Sequence, residues 1–111
     1  MADWLDKIEV EIDRGRKAER DGTGGKARTA ARRAVGLAVT EFQQRRGGKQ
    51  YGADVMTQLG GIAEDLSLPG EVRDAALRLH SRISQDFTSP SRQPLADATV
   101  IINFIKQALV S

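Results

Sequence analysis

The sequence has no cysteine and only one histidine among its 111 residues. The absence of cysteine excludes disulfide bonds, thiolate metal sites and cysteine nucleophiles. A single histidine, His80, rules out a multi-histidine metal site, so we expect neither a bound metal nor a cofactor. Aromatic residues make up only 5% of the chain, which leaves little surface on which nucleic-acid bases can stack.

Long apolar runs are also missing, since none approaches the roughly 20 residues that span a bilayer. The first thirteen residues carry five acids and one lysine. A signal peptide instead begins with positive charge and continues into an apolar run. We therefore expect a cytoplasmic protein with no membrane association. No stretch alternates apolar and polar residues, so β-strands are not expected either.

What the chain does contain is apolar residues that recur once per helical turn. This pattern predicts helical segments that begin near Asp3, Lys26, Val55, Pro69 and Pro94. Two glycines inside the third segment, Gly60 and Gly61, are expected to weaken it, and a proline-containing loop is expected between Phe87 and the last segment. The sequence predicts a single all-α domain, an up-and-down antiparallel bundle of four to five helices.

Positive charge is concentrated in one part of the chain. Residues 14–49 hold eleven lysines and arginines against three acidic residues. In each of the first two predicted helices, two arginines lie four residues apart and therefore share a helical face. We predict that these basic ridges converge and bind phosphate groups without reading bases. The predicted contact residues are Arg16, Arg20, Lys26, Arg28, Arg32 and Arg33. A solvated face with internal salt bridges is the alternative interpretation.

The glycine-rich segment at residues 22–26 ends in a lysine, as a phosphate-binding loop does. Arg20 stands where that motif needs its first glycine, and Ala27 replaces the hydroxyl residue that should follow the lysine. We interpret the segment as a turn.

His80 lies at the border of the apolar stripe of the fourth segment. Arg73 precedes it by seven residues, almost two helical turns, so both side chains project from the same side. An imidazole can deprotonate an attacking hydroxyl while a guanidinium stabilises the charge that develops on phosphorus-bound oxygen. Metal-independent RNA cleavage by Arg73 and His80 is therefore one hypothesis. A boundary histidine that keeps its polar tip in water is the other interpretation.

The last predicted helix is too apolar for a fully exposed one, because Ile101, Ile102, Phe104 and Ile105 lie close together in it. We assign most of these side chains to the core. The remainder is expected to provide a face for a second copy of the chain or for another protein.

Four segments resemble small HEPN-type helical bundles of prokaryotes. They are WLDK at 4–7, KARTAARRAV at 26–35, PLADA at 94–98 and IINFI at 101–105. The resemblance implies a four- to five-helix bundle, often dimeric, that cleaves RNA or binds RNA or a nucleotide, frequently in toxin–antitoxin or defence systems. Active members carry an arginine, a polar residue and a following histidine, and Arg73, Asp74 and His80 match this pattern.

Asp74 stands where an amide is more usual, and a second histidine is absent. Relatives of this kind look like binding or accessory domains, so we predict a non-catalytic domain whose partner is RNA, a nucleotide or a protein. A ribonuclease using Arg73 and His80, and a protein-binding scaffold acting through the last helix, are the alternatives.

Overall fold

Helices make up most of this computed structural model, which describes residues 3–47, 50–81 and 93–110. Within these ranges the chain forms no strand, and its helices are α1 (Asp3–Arg20), α2 (Gly24–Arg46), α3 (Val55–Glu64), α4 (Gly70–His80) and α5 (Pro94–Val110). The predicted all-α bundle is confirmed. The loop predicted to follow Phe87 lies outside the described residues. None of the described helices is long and apolar enough to cross a membrane.

Helix α2 lies at the centre of the bundle, where it contacts α1, α3 and α5. Its buried side chains are mostly alanines, namely Ala27, Ala30, Ala31, Ala34 and Ala38. Small side chains at a helix surface let neighbouring helices approach closely. Apolar residues from all five helices then form one core, in which the largest fully buried aliphatic side chains are Ile8, Leu59, Leu79 and Ile101.

The first two helices form an antiparallel hairpin. Residues 21–23 connect them, and Gly22 has a φ of 75°, a conformation that glycine adopts without steric cost. The first turn of α1 lies beside the last turn of α2, where the guanidinium carbon of Arg45 is 5.7 Å from the centroid of the Trp4 ring. Helix α2 ends at Arg46, and Gly47 follows it with a left-handed φ of 61°, the conformation in which glycine commonly terminates a helix.

The two glycines of α3 are sites of close packing. Gly60 and Gly61 lie within a continuous helix. A Cβ atom at Gly60 would be 3.3 Å from Nε2 of His80, and one at Gly61 would be 3.0 Å from Cδ1 of Tyr51. The glycines therefore make room for an imidazole and a phenol ring, and this packing offsets their poor helix propensity.

Buried glutamine side chains hold the connection between α2 and α3. Oε1 of Gln43 accepts hydrogen bonds from the backbone N–H groups of Tyr51 at 2.6 Å and Gly52 at 3.2 Å, and its Nε2 donates to the Gly52 carbonyl at 3.1 Å. Nε2 of Gln58 donates to the same carbonyl at 3.1 Å. Because buried polar groups need partners, these bonds fix the path of the loop.

Tyr51 joins this loop to the end of α3. Its hydroxyl donates to Oδ2 of Asp65 at 2.6 Å, and Oδ1 of Asp65 accepts from the backbone N–H of Ser67 at 3.0 Å and from the Ser67 hydroxyl at 2.6 Å. Burial, and to a lesser extent the hydrogen bond to Asp65 and the negative charge of that carboxylate, raise the pKa of Tyr51.

Two arginines hold the carboxyl end of α4. Arg32 of α2 donates from Nε to the Leu79 carbonyl at 2.8 Å and from a terminal nitrogen to the Ser81 carbonyl at 3.2 Å. The last carbonyls of a helix have no partner inside the helix, and Arg32 supplies one. Arg78 binds both carboxylate oxygens of Asp97 in α5, with its shortest contact at 2.7 Å, and this contact raises the pKa of Arg78.

We predict that Arg32→Met lowers the free energy of unfolding by about 2 kcal/mol, because hydrogen bonds made by a charged group are worth roughly 1.5–3 kcal/mol. Arg33→Met is the matched control, since Arg33 is exposed, and it should change the same quantity by less than about 0.5 kcal/mol. Denaturant unfolding measures both values. Equal effects of the two substitutions would contradict a tether between α2 and α4.

Tyr51 is the only tyrosine, so the absorbance of tyrosinate reports its pKa alone. We expect it to ionise above its ordinary value of 10.0 in the folded protein and near that value in denaturant. Folding favours the protonated phenol, so this contribution to stability is complete below the unfolded pKa and is lost as pH rises through the folded pKa. In Asp65→Asn the pKa of Tyr51 should fall but stay above 10.0, because burial, the largest cause of the shift, remains. A Tyr51 pKa at or below 10.0 in the folded protein would show that its hydroxyl is not buried against Asp65 as described.

Candidate binding groove

A groove follows the seam between α1 and α2. The α1 residues along it recur every three or four positions and share one helical face, and they include Lys7, Val10, Arg14 and Lys17. The α2 residues along it follow the same spacing and include Lys26, Thr29, Arg33, Gly36 and Thr40. Because the helices are antiparallel, one end of the groove lies at the hairpin turn and the other at the first turn of α1.

The groove has two sections of different chemistry. The apolar section, at the first turn of α1, has a volume of about 730 Å³, and the residues that give it its apolar character include Trp4, Val10, Leu37 and Val55. The basic section, beside the hairpin turn, has a volume of about 600 Å³, and its cations are Arg14, Lys17, Lys26 and Arg33. Glu11 and Arg33 line both sections, which therefore adjoin.

The basic section carries an excess of positive charge. Among the described residues its acids are Glu11 and Asp21, and Glu11 is engaged by a terminal nitrogen of Arg14 at 2.7 Å. The other three cations form no ion pair with any residue that the structure describes. Neighbouring cations that lack acidic partners raise the local potential and attract anions.

The structure brings together only two of the six basic residues predicted from the sequence. Lys26 and Arg33 line the basic section. Arg16 and Arg20 are not among its lining residues, and the nearest ion-pair contact of Arg16 is Asp13 at 3.4 Å. Arg28 is half-buried, and Arg32 binds the end of α4 as described above.

Sequence reasoning did not select Arg14 and Lys17, although both line the basic section. Their spacing of three residues puts them on one face of α1 just as the spacing of four does for Arg16 and Arg20. Arg14 and Lys17 continue the three-and-four spacing of Lys7 and Val10 towards Asp21, but spacing alone does not show which face of α1 is turned towards α2. That row borders the buried stripe of α1, which contains Ile8 and Ile12.

The proposed catalytic pair is separated along α4. Nε of Arg73 donates to the Leu68 carbonyl at 3.2 Å, beside the start of the helix. His80 is the last residue of α4, and its ring packs against Gly60. Seven helical residues correspond to about 10 Å along the axis, and the guanidinium of Arg73 is bound at the end remote from His80. The structure therefore does not bring the guanidinium and the imidazole together.

The apolar stripe of α5 is used inside the domain. Ile101, Ile102 and Ile105 are at most 3% exposed, and α5 contacts both α2 and α4. Among the described residues of this helix, Val110 is an exposed large apolar side chain and Phe104 is partly buried. Most of the apolar side chains of α5 therefore lie in the core, as the sequence predicts.

Three side chains that line the apolar section each carry a buried polar atom that makes no hydrogen bond with any described residue. These atoms are Nε1 of Trp4, Oε2 of Glu11 and Oε1 of Gln58. Glu11 is 7% exposed and Gln58 is 1% exposed. A buried polar atom without a partner costs about 1–3 kcal/mol, so three of them beside one groove call for a functional explanation.

No protein-family model matches this chain, and no curated protein or solved structure does so either. The resemblance to HEPN-type bundles, and the activities that it implies, therefore stay predictions. Among the described side chains, no group of three or more histidines and acids is arranged to hold a metal ion.

We predict that the purified protein, His80→Ala and Arg73→Ala all leave a labelled RNA uncut in the absence of divalent ions, because Arg73 and His80 face different surroundings. Gel analysis of the RNA after prolonged incubation measures this. RNA cleavage by the unmodified protein that disappears in both variants, with their helical circular dichroism unchanged, would restore the ribonuclease hypothesis.

Proposed function

We propose that this chain is a non-catalytic binding domain that holds the phosphate backbone of RNA in the basic section of its α1–α2 groove. The observation that carries the proposal is the convergence of Arg14, Lys17, Lys26 and Arg33 on one concave surface with only two acids. Lysines and arginines that neutralise phosphates release condensed counterions, and this release drives binding to nucleic acids.

The composition of the groove favours contact with the backbone over contact with bases. The lining of the basic section includes no aromatic side chain among the described residues, so stacking of bases is not supported there. Phosphate contacts position a nucleic acid without reading its sequence. We propose RNA and not DNA because the chain resembles HEPN-type bundles. A nucleotide would offer the same kind of phosphate group, but fewer of them.

We expect the affinity for a short single-stranded RNA to fall steeply with salt. Four phosphate contacts on a single strand correspond to a slope of about −3 in a plot of log affinity against log salt concentration. Fluorescence anisotropy of a labelled oligonucleotide, measured from low to physiological salt, gives this slope. An unlabelled DNA of the same sequence and a nucleoside triphosphate serve as competitors. Absence of RNA binding even at low salt would end the proposal.

Single substitutions distinguish the groove from the rest of the basic surface. We expect Lys17→Ala and Lys26→Ala each to weaken binding equally for all RNA sequences and to reduce the magnitude of the salt slope by about 1. Arg16→Ala and Arg20→Ala are matched controls, because both are exposed on α1 but do not line the groove. If the controls weaken binding as much as the groove variants, the contact surface is a different face of α1.

A further inference from the structure

The apolar section of the groove has the makeup of a small-molecule site. Such sites have volumes of about 300–1,000 Å³, a mostly apolar lining and a few polar groups that orient the ligand. The apolar section has a volume of about 730 Å³, an indole, and the aliphatic side chains of Val10, Leu37 and Val55. Val10 is 50% exposed although it is a large apolar side chain.

The unpartnered polar atoms of three lining residues define what a ligand must offer. Oε2 of Glu11 and Oε1 of Gln58 are acceptors, so they need hydrogen-bond donors. The orientation of the Gln58 amide follows from its contacts, because the Gly52 carbonyl at 3.1 Å can only accept and must therefore face Nε2. Nε1 of Trp4 is a donor, and it needs an acceptor.

Charge further narrows the class of ligand. The acids that line the apolar section are Asp3, Glu11 and Glu41, and its cations are Lys7 and Arg33. Glu41 is already engaged by Arg45 at 2.7 Å, and Oε1 of Glu11 by Arg14. The remaining oxygen of Glu11 is thus a buried acceptor on a carboxylate, for which an ammonium group is the matching donor.

We propose that the apolar section binds a small organic amine, with its ammonium group at Glu11 and Gln58 and its apolar body between Trp4, Leu37 and Val55. An oxygen on the ligand would complete the site by accepting from Trp4. This inference uses different residues from the RNA proposal, apart from Glu11 and Arg33 at the junction of the two sections, and it stands whether or not RNA binds.

Trp4 is the only tryptophan, so intrinsic fluorescence reports directly on the apolar section. The probes are 2-phenylethylamine, 2-phenylethanol and 3-phenylpropionate, which share an aromatic body and differ in the charge of the head group. We expect a saturable change in Trp4 fluorescence when the amine is added. The dissociation constant of the amine should be at least about tenfold lower than those of the alcohol and the carboxylate, because only the amine can form a charge-assisted hydrogen bond with a carboxylate.

Two substitutions test the roles of the residues. Glu11→Gln should abolish the preference for the amine, whereas Glu9→Gln, an exposed acid on the same helix, should keep it. Val10→Phe replaces a half-exposed aliphatic side chain with a bulkier aromatic ring that takes up space in the apolar section. It should weaken binding of all three probes while the helical circular dichroism stays unchanged. The Val10→Phe variant still tests the proposed site if Glu11→Gln fails to fold.

Four results would overturn the proposal. The first is the absence of a saturable fluorescence change up to about 10 mM amine, which is the weak end of small-ligand affinity. The second is binding of the carboxylate that equals or exceeds binding of the amine. The third is an equal loss of amine preference in Glu9→Gln and Glu11→Gln, and the fourth is unchanged amine binding in Val10→Phe.

Discussion

The bundle depends on how closely other helices can approach α2. Its alanines keep the distance between helix axes short, so α1, α3 and α5 can all contact one rod of 23 residues. Two arginines of α2 lie at the borders of this packed face, where Arg32 is half-buried and Arg33 is exposed. Arg32 reaches the end of α4 from one border, and Arg33, the next residue, lines the groove. The packing of α2 against its neighbours thus directs Arg32 to the backbone of α4 and leaves Arg33 facing solvent.

Much of the fold could be predicted from local patterns, and the exceptions involve contacts between distant residues. The three-to-four spacing of apolar residues predicts every helix that the structure describes. Helix propensity alone predicts that Gly60 and Gly61 weaken α3, because nothing local in the sequence indicates that His80 and Tyr51 pack against them. Gln43 likewise reads as an ordinary polar residue until the loop that it holds is seen.

The basic surface was predictable as a region but not as a set of residues. Spacing shows which side chains share a helical face, and it does not show how that face is turned towards a neighbouring helix. Arg16 and Arg20 therefore looked equivalent to Arg14 and Lys17 until α1 was oriented against α2. Arg32 could not be recognised as a helix cap, because the carbonyls that it binds belong to residues 47 and 49 positions further along the chain.

The position of Glu11 has a thermodynamic consequence. One of its carboxylate oxygens binds Arg14 in the basic section, its other oxygen is buried without a hydrogen-bond partner among the described residues, and the residue lines both sections. If both sections bind the ligands proposed above, a cation that neutralises this carboxylate would weaken its bond to Arg14 and free that guanidinium for an anion in the basic section. Linkage would make this effect reciprocal, so that each ligand would change the affinity of the other by the same factor. One shared side chain would then couple the two proposed sites without any movement of the helices.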